Sequence, residues 1–353
     1  MLLDEFDYDL PPERIAQHPL AARDASRMLW LDRATGGLQD CRFLDLPGLL
    51  RPGDLLVAND SRVLPVRLLG QLAAAGEATV AAELLLLAPG AAGEWTALAR
   101  PARRLPPGTR VELEPGGAAT ILERGERGAC RVRLEVPGDA EAWLERHGHI
   151  PLPPYIRRPD SLGDRERYQT VYARAPGAGA GFSAAAPTAG LHFTTRVLEQ
   201  LGARGVGWTT VALDVGLGTF QPVSSPEIER HPMHAERYAI GPEAAAALNH
   251  ARAEGRRIVA VGTTAARVLE TAAPDDPRLP FAASSGLTRL YLYPGGRGFR
   301  ALGAILTNFH APRTTLLMMI AAFAGLEPVR RAYQHALDHG YRFLSYGDCM
   351  LIT

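Results

Sequence analysis

The sequence predicts an α/β main domain that carries an inserted small all-β barrel. Within residues 64–137, apolar and polar residues alternate along short segments, which is typical of half-buried strands. Further along the chain, helical patterns alternate with short apolar runs, as in layered α/β folds. The chain has 353 residues, of which 46% are apolar, so it can bury a sizeable core. We therefore expect residues 1–63 and 138–353 to form a discontinuous α/β domain and residues 64–137 the barrel.

The barrel prediction depends on period-two patterns and turn residues. Residues 131–136 and 110–114 each alternate strictly between apolar and charged side chains. The turn signals Pro106-Pro107-Gly108 and Pro115-Gly116-Gly117 separate such runs. The spacing gives room for five or six short strands.

In the main domain, capping residues and short apolar runs define the elements. Asp139 is expected to cap a short helix that ends at Gly148. The remaining expected elements are strands over 208–215, 258–261 and 302–306, helices over 242–255, 316–324 and 327–339, a helix from Ala265, and two terminal strand segments on either side of 345–348.

Composition excludes several chemistries. All 38 basic residues are arginine, so no lysine is present to form a Schiff base with pyridoxal phosphate or to serve a phosphate-binding loop. Cys41, Cys130 and Cys349 are too far apart for a metal motif or a disulfide framework, which favours a reducing cytoplasm. No apolar run approaches the ~20 residues of a membrane span. The net charge is zero, so any nucleic-acid contact must come from a local patch.

Two histidine-containing segments are the strongest functional signals. The segment 186–193 carries Thr188, Gly190 and His192, and a helix start with Thr194 or Thr195 as cap follows it. The segment 307–315 carries Asn308, His310 and Arg313 between an apolar strand and an apolar helix. Loops at strand ends are where open α/β sheets collect ligands. A capped turn that packs against the core is the alternative for each segment.

Other polar groups follow predicted strands. Asn59, Asp60, Ser61 and Arg62 could hold a ribose or a zwitterion, and the alternative is an Asx turn. Arg62 could orient a carboxylate through its planar guanidinium. Asp214 is a candidate base or hydroxyl acceptor, and Gly216 and Gly218 after it allow close approach of backbone to a ligand.

Three further groups are candidates for substrate binding. His231, His234 and Glu236 suggest a metal site at first, but their spacing does not match a zincin motif, and a substrate role or a structural role fits better. Thr263 and Thr264 could donate to a polar ligand or simply cap a helix. Asp348 is a strand-end carboxylate, a type that is more often structural. The densest basic runs, which could form a phosphate-binding face, are Arg100, Arg103 and Arg104, and Arg157, Arg158, Arg165 and Arg167.

Taken together, these motifs resemble those of the S-adenosylmethionine:tRNA ribosyltransferase-isomerases of queuosine biosynthesis. The similarity runs from Phe6-Asp7-Tyr8-Asp9-Leu10-Pro11 to Ser345-Tyr346-Gly347-Asp348, essentially the whole chain. The blocks between these ends are residues 58–63, 186–193, 214–220, 231–236, 262–264 and 306–317.

The resemblance implies a fold, a reaction and its partners. It implies an α/β domain with an inserted barrel that transfers the ribosyl part of S-adenosylmethionine to 7-aminomethyl-7-deazaguanine at the wobble position of tRNA. Isomerisation of that ribose gives epoxyqueuosine, with adenine and methionine as the other products. No metal and no further cofactor is implied. The expected partners are S-adenosylmethionine and the tRNA anticodon stem-loop, and the expected state is a cytoplasmic monomer without membrane contact.

In this reaction His192 and His310 are the candidates for proton transfer, and Asp214 for orienting the ribose or accepting a proton from it. The chain departs from the family pattern at Leu287, where Trp is usual, and at Arg313, where Lys is usual, which makes an acid–base role for position 313 doubtful. No function is placed in the Gly/Ala-rich loop 175–186. The alternatives are a tRNA-binding protein without catalysis and a metal-dependent hydrolase.

Overall fold

The computed structural model describes residues 1–72, 80–175, 182–216, 223 and 225–353. It contains a nine-stranded mixed sheet flanked by helices and a separate, closed six-stranded antiparallel barrel. The predicted fold class, an α/β domain with an inserted barrel, is confirmed.

The elements are numbered in chain order. The strands are β1 Arg27–Leu31, β2 Leu38–Arg42, β3 Leu55–Asn59, β4 Arg62–Val63, β5 Arg67–Leu72, β6 Val80–Pro89, β7 Glu94–Arg100, β8 Arg110–Leu113, β9 Gly117–Arg124, β10 Ala129–Glu135, β11 Phe182–Ser183, β12 Gly207–Asp214, β13 Glu236–Ile240, β14 Ile258–Val261, β15 Ser284–Thr288, β16 Ala304–Asn308 and β17 Cys349–Ile352. The helices are α1 Leu46–Leu49, α2 Ala140–His147, α3 Leu162–Arg167, α4 Thr195–Ala203, α5 Pro242–Ala253, α6 Gly262–Ala272, α7 Thr315–Ala324 and α8 Leu326–Asp338.

The centre of the large sheet is parallel. Its order is β15-β13-β12-β3-β14-β16-β17-β1-β2, and β12, β3, β14 and β16 all run in one direction. Strand β17 runs antiparallel to β16, with Asn308 paired to Cys349, so β17 begins at the edge where the parallel strands end. This shared edge carries the polar segments that follow β3, β14 and β16, and Asp214 at the end of β12.

Helices cover both faces of the sheet, as its all-buried central strands require. Helices α5 to α8 pack on one face, where their apolar side chains join those of Val57 and Ala260. Helices α1 and α4 pack on the other face against Leu56 and Val259. The predicted caps are present: Asp139 caps α2 by accepting from the Ala142 amide at 2.9 Å, and Thr194 caps α4.

The barrel strands lie within the predicted segment, since β5 begins at Arg67 and β10 ends at Glu135. The order β10-β7-β6-β5-β8-β9 closes because β9 pairs with β10. Alternate side chains such as Val111 and Val132 fill the interior, as the period-two patterns predict. Closure removes the unpaired strand edges that an open sheet of this size would expose.

Two local expectations are wrong. The helix expected from Ala265 begins at Gly262, because Gly262 adopts φ +88° and turns the chain into the helix directly from β14. The expected strand before Ser345 is absent in this described segment: Phe343 makes only an isolated bridge to Ile15. Leu344, with φ +70°, turns the chain there instead.

Candidate active site

A cavity of about 280 Å³ opens at the edge where the parallel strands end. Its walls come from the segments after β14 and β16, from the 3-10 helix Thr188–His192, and from Pro153, Pro154 and Tyr155. Six of the residues that the sequence singled out line it: Thr188, Glu236, Thr263, Thr264, Asn308 and His310. These residues come from four separate segments of the chain.

His310 presents an uncharged imidazole to this cavity. Burial lowers its pKa to about 3, so the ring is neutral at pH 7. Its Nε2 lies 2.7 Å from the Thr307 hydroxyl. That hydroxyl can accept from Nε2–H while it donates to the Asn308 carbonyl oxygen at 3.3 Å. This tautomer leaves the Nδ1 lone pair of His310 free, and no described residue hydrogen-bonds to it.

The N-terminal segment and α8 hold the loop that carries His310. The Tyr8 hydroxyl donates to the carbonyl oxygen of His310 at 2.5 Å, and the His310 amide donates to the Tyr333 hydroxyl at 3.0 Å. Arg313, with φ +57°, forms ion pairs with Asp4 at 3.0 Å and Asp7 at 2.6 Å. Arg313 therefore faces the N-terminal segment and does not line the cavity. Its observed contacts hold the loop.

Three polar atoms around the cavity are buried and have no hydrogen-bond partner among the described residues. They are the Thr264 hydroxyl, Nη2 of Arg267 and the Tyr168 hydroxyl, which lies near Ser345 and the Ala186 backbone but not in hydrogen-bond geometry with either. A buried unsatisfied polar group costs about 1–3 kcal/mol, so three of them around one cavity indicate a polar ligand. Thr264 is not a helix cap, because α6 already begins at Gly262. Neither Tyr168 nor Arg267 belongs to a sequence motif that marks it as a site residue.

Glu236 and Arg267 form a buried ion pair in the wall of the cavity, with 5% and 7% of their surfaces exposed. Glu236 also accepts from the Gly216 amide at 3.2 Å, and Nε of Arg267 donates to the Leu290 carbonyl oxygen at 3.3 Å. Beyond the pair lies a smaller pocket of about 70 Å³ that His231 and His234 line. We call it the side pocket.

His192 lies beneath the cavity rather than in its wall. It is 3% exposed, its Nδ1 is 2.8 Å from the Ser26 hydroxyl, and its Nε2 is 3.4 Å from Oδ1 of Asn308. Burial lowers the pKa of His192 to about 4. The Asn308 amide nitrogen donates to the Leu344 carbonyl oxygen, which turns Oδ1 toward His192. In this geometry His192 orients Asn308, which does line the cavity.

The segment after β3 uses its polar groups within the protein. The Asn59 amide group bonds to the backbone of Leu213, and its Oδ1 accepts from the Ser61 amide, which completes the Asx turn. The Ser61 hydroxyl also donates to the Leu213 carbonyl oxygen. Asp60 pairs with Arg174 at 2.7 Å. None of these residues lines the cavity.

Arg62, from the same segment, also finds its partner within the protein. It pairs with Glu145 at 3.2 Å. The carboxylate that it orients therefore belongs to α2, and Arg62 does not line the cavity.

Asp214 is different, because one of its carboxylate oxygens, Oδ1, is buried without a partner. Burial raises its pKa to about 6, near the range of a general base. Asp214 does not line the cavity, whereas the next residue, Val215, does. Gly218 lies outside the described residues.

Two further predicted residues have structural surroundings. Both Asp348 oxygens accept backbone amides, from Arg27 at 3.0 Å and Arg342 at 2.8 Å. At Gly190, a Cβ atom would come within 2.0 Å of the Tyr172 hydroxyl, so packing alone explains the glycine.

A second, larger cleft of about 490 Å³ separates the barrel from the segment 151–160. It shares Pro153 and Pro154 with the cavity, so the two spaces adjoin. Arg100 and Arg157 lie on its walls. Among the described residues, the guanidinium groups of these two arginines, and those of Arg103 and Arg104, make no ion pair or hydrogen bond; the backbone amide of Arg157 donates to Oε1 of Gln17 at 2.7 Å.

The other arginines of the basic runs have partners. Arg158 binds both oxygens of Asp164, at 2.7 and 2.8 Å. Arg165 and Arg167 donate to backbone carbonyl oxygens, including that of Gly148 at 2.6 Å. The structure therefore separates four available guanidinium groups from three that stabilise the fold.

Within the described ranges, no group of three or more His, Cys, Asp or Glu side chains is arranged to hold a metal ion. In the same ranges, no helix has the length and apolar character needed to cross a membrane.

Comparisons with known proteins identify the family. The model of the queuosine biosynthesis protein family matches residues 3–352. The chain belongs to this family. It is 49% identical over 348 residues to the S-adenosylmethionine:tRNA ribosyltransferase-isomerase of Heliobacterium modesticaldum, covering 98% of each chain. It is 51% identical over 352 residues to the enzyme of the same name from Acidithiobacillus ferrooxidans, covering 99% of this chain and 97% of that one.

A solved structure agrees with this assignment. The crystal structure of the S-adenosylmethionine tRNA ribosyltransferase from Thermotoga maritima is 36% identical in sequence, with a TM-score of 0.54 over 99% of this chain and 100% of that chain. Membership of the queuosine biosynthesis family, expected from the motifs, is thus confirmed.

Proposed function

We propose that this chain transfers the ribosyl part of S-adenosylmethionine to 7-aminomethyl-7-deazaguanine at the wobble position of tRNA and isomerises it, giving epoxyqueuosine, adenine and methionine. The observation that carries the proposal is the cavity at the strand ends, with three buried polar atoms that have no partner. Full-length relatives named for this activity share about half of the sequence. The cavity supplies the place where such chemistry would occur.

The cavity suits a sulfonium nucleoside. The Thr264 and Tyr168 hydroxyls are free to bind the ribose and the adenine nitrogens, and apolar residues such as Phe309 and Leu316 offer surface to the rings.

The reaction requires several proton transfers. Removal of a C5′ proton, which the adjacent sulfonium acidifies, needs a base; the departing adenine needs a proton; and the attacking aminomethyl group must be neutral. His310 is neutral, and in the tautomer that donates Nε2–H to Thr307 its Nδ1 lone pair is free to accept a proton. We assign it the base role.

The structure leads us to revise the expected role of His192 and to retain that of Asp214. His192 is separated from the cavity by Asn308, so we propose that it positions Asn308 instead of exchanging protons with the substrate. Asp214 keeps its candidacy as a proton acceptor or ribose-orienting group, because its pKa of about 6 and its unpartnered oxygen are unusual for a structural carboxylate.

The cleft beside the barrel is the proposed docking surface for the anticodon stem-loop. Arg100, Arg103, Arg104 and Arg157 are exposed and available to phosphates, and the cleft leads to the cavity through Pro153 and Pro154. Four arginines can contact only a few phosphates, and so small a number of contacts does not require a net positive charge on the whole chain.

The catalytic proposal is tested by adenine release from S-adenosylmethionine. Release should require tRNA that carries the modified base. His310→Gln should lower kcat at least a hundredfold, as expected for loss of a general base. His335→Gln, at a half-buried histidine of α8 that bonds to Asp40 and does not line the cavity, is the matched control and should leave kcat unchanged.

The same assay separates the alternatives. Binding of tRNA without adenine release would support a non-catalytic protein, and loss of activity in a strong chelator would support a metal-dependent hydrolase. Either result would contradict the proposal, as would full turnover by His310→Gln.

The docking surface is tested by the salt dependence of tRNA binding. Each Arg→Gln change at positions 100, 103, 104 and 157 should reduce the slope of log K against log salt by about 0.7–1. Arg110→Gln removes the same charge from a barrel arginine that pairs with Glu112 and Glu135, and should leave the slope unchanged. Equal slopes in all variants would place the RNA elsewhere.

A further inference from the structure

The side pocket adjoins the main cavity and shares part of its wall. Glu236, Arg267, Thr314 and Leu316 line both spaces. A ligand in the main cavity that extends into the side pocket therefore lies beside the Glu236–Arg267 ion pair. Any group bound there is selected by the chemistry of this pair.

The ion pair has one unused donor. Nη1 of Arg267 donates to the Glu236 carboxylate and Nε donates to the Leu290 carbonyl oxygen. The buried Nη2 has no hydrogen-bond partner among the described residues. On the side-pocket wall, Nδ1 of His231 is also buried without a partner. Nη2 of Arg267 can only donate, and Nδ1 of His231 also donates in the tautomer that carries its proton there. An anionic oxygen would satisfy both nitrogens and offset the cost of their burial.

The ligand must also be electrically balanced. Arg267 is already neutralised by Glu236, so an anion alone would bring one uncompensated charge into a buried site, which is costly. A zwitterion avoids this cost: its carboxylate faces Arg267 and His231, and its ammonium group faces Glu236. Met233 and Met319 supply an adaptable apolar surface for a short methylene chain.

The size fits a small group. A single water needs about 10–15 Å³ of such space, so the pocket's 70 Å³ holds about five water-sized groups. An α-carbon with its ammonium and carboxylate groups is of that size, whereas a nucleobase is too large.

We propose that the side pocket binds the α-amino-acid end of S-adenosylmethionine, with the nucleoside in the main cavity. This inference rests on the proposed function, and it adds the orientation of the substrate. The sulfonium then lies near the Glu236 carboxylate, between the two spaces. The same subsite holds the released methionine after the ribosyl group has left.

Two neutral ligands test the proposal by titration calorimetry. S-adenosylhomocysteine carries the amino-acid end, and 5′-methylthioadenosine has the same thioether nucleoside without it. The wild-type protein should bind S-adenosylhomocysteine at least tenfold more tightly. Met233 is half-buried at the rim of the side pocket, and Met233→Trp fills the pocket. This variant should bind S-adenosylhomocysteine at least tenfold more weakly, while its affinity for 5′-methylthioadenosine changes less than threefold.

Two further variants complete the test. His231→Phe should lower the affinity for S-adenosylhomocysteine only, because it removes one hydrogen-bond donor. Ala186→Val narrows the main cavity and should lower the affinities for both ligands alike. Equal wild-type affinities, or equal losses of both ligands in Met233→Trp, would overturn the subsite and leave the proposed function standing. If neither ligand binds the wild-type protein, the proposed function itself fails.

Discussion

Replacing Tyr8 with Phe should slow catalysis although Tyr8 does not line the cavity. Its hydroxyl donates to the His310 carbonyl oxygen at 2.5 Å and helps to fix the loop that carries the proposed base. The substitution removes this hydrogen bond and leaves a carbonyl oxygen without its partner, at a cost of about 1–3 kcal/mol. If about 1.4 kcal/mol of that cost appears as misplacement of His310 in the transition state, kcat falls about tenfold.

The assay is adenine release at saturating S-adenosylmethionine and modified tRNA, with the free energy of unfolding measured in urea. We expect a tenfold lower kcat and a KM for S-adenosylmethionine within about threefold of wild type, because a loop position affects the transition state more than ground-state binding.

Tyr341→Phe is the matched control. The Tyr341 hydroxyl donates to Asp40 at 2.5 Å on the outer strand β2. Its loss should lower stability by a similar amount and leave kcat unchanged. If Tyr8→Phe loses stability but keeps the wild-type kcat, the inference that the N-terminal segment positions His310 is refuted.

Three further predictions concern stability. Burial raises the pKa of Asp214 to about 6, so its ionisation opposes folding as the pH rises from about 4 to 6. Asp214→Asn should therefore have a free energy of unfolding about 1–2 kcal/mol higher than wild type at pH 8, after allowance for solvent screening. Urea unfolding should show no difference near pH 3.5. Hydrogen bonds from Arg158, Tyr346 and Ser161 hold the pKa of Asp164 well below its usual range. Asp164→Asn should therefore lower the free energy of unfolding by about 3 kcal/mol at pH 7, and that difference should shrink as the pH falls below 4. Gly190→Ala should lower the melting temperature clearly, whereas Gly202→Ala, where nothing lies within 4 Å, should not.

Local patterns were enough to predict much of the fold. The strand over 258–261 lies where its continuous apolar run placed it, and the alternation around Val111 and Val132 correctly indicated barrel strands. His310 lies at the predicted edge, because a strand and a helix on either side fix a short loop.

The candidate site was harder to predict, because partners distant in sequence decide which polar groups remain free. Asn59 and Asp348 have the right types and positions, yet backbone groups elsewhere in the chain use their oxygens. In the sequence, Arg267 is one polar residue of an amphipathic helix. Its role depends on Glu236, at the start of strand β13, which the fold brings against it. Tyr168 likewise gives no local signal, since its hydroxyl matters only where the cavity forms.

A crystal structure with S-adenosylmethionine bound would show directly whether the cavity at the strand ends is the active site. We expect the nucleoside in this cavity, with Tyr168, Thr264 and Arg267 as hydrogen-bond partners and Nδ1 of His310 about 3–4 Å from C5′. Density for the ligand in the cleft beside the barrel, or a pose that leaves those three polar atoms still without partners, would contradict it.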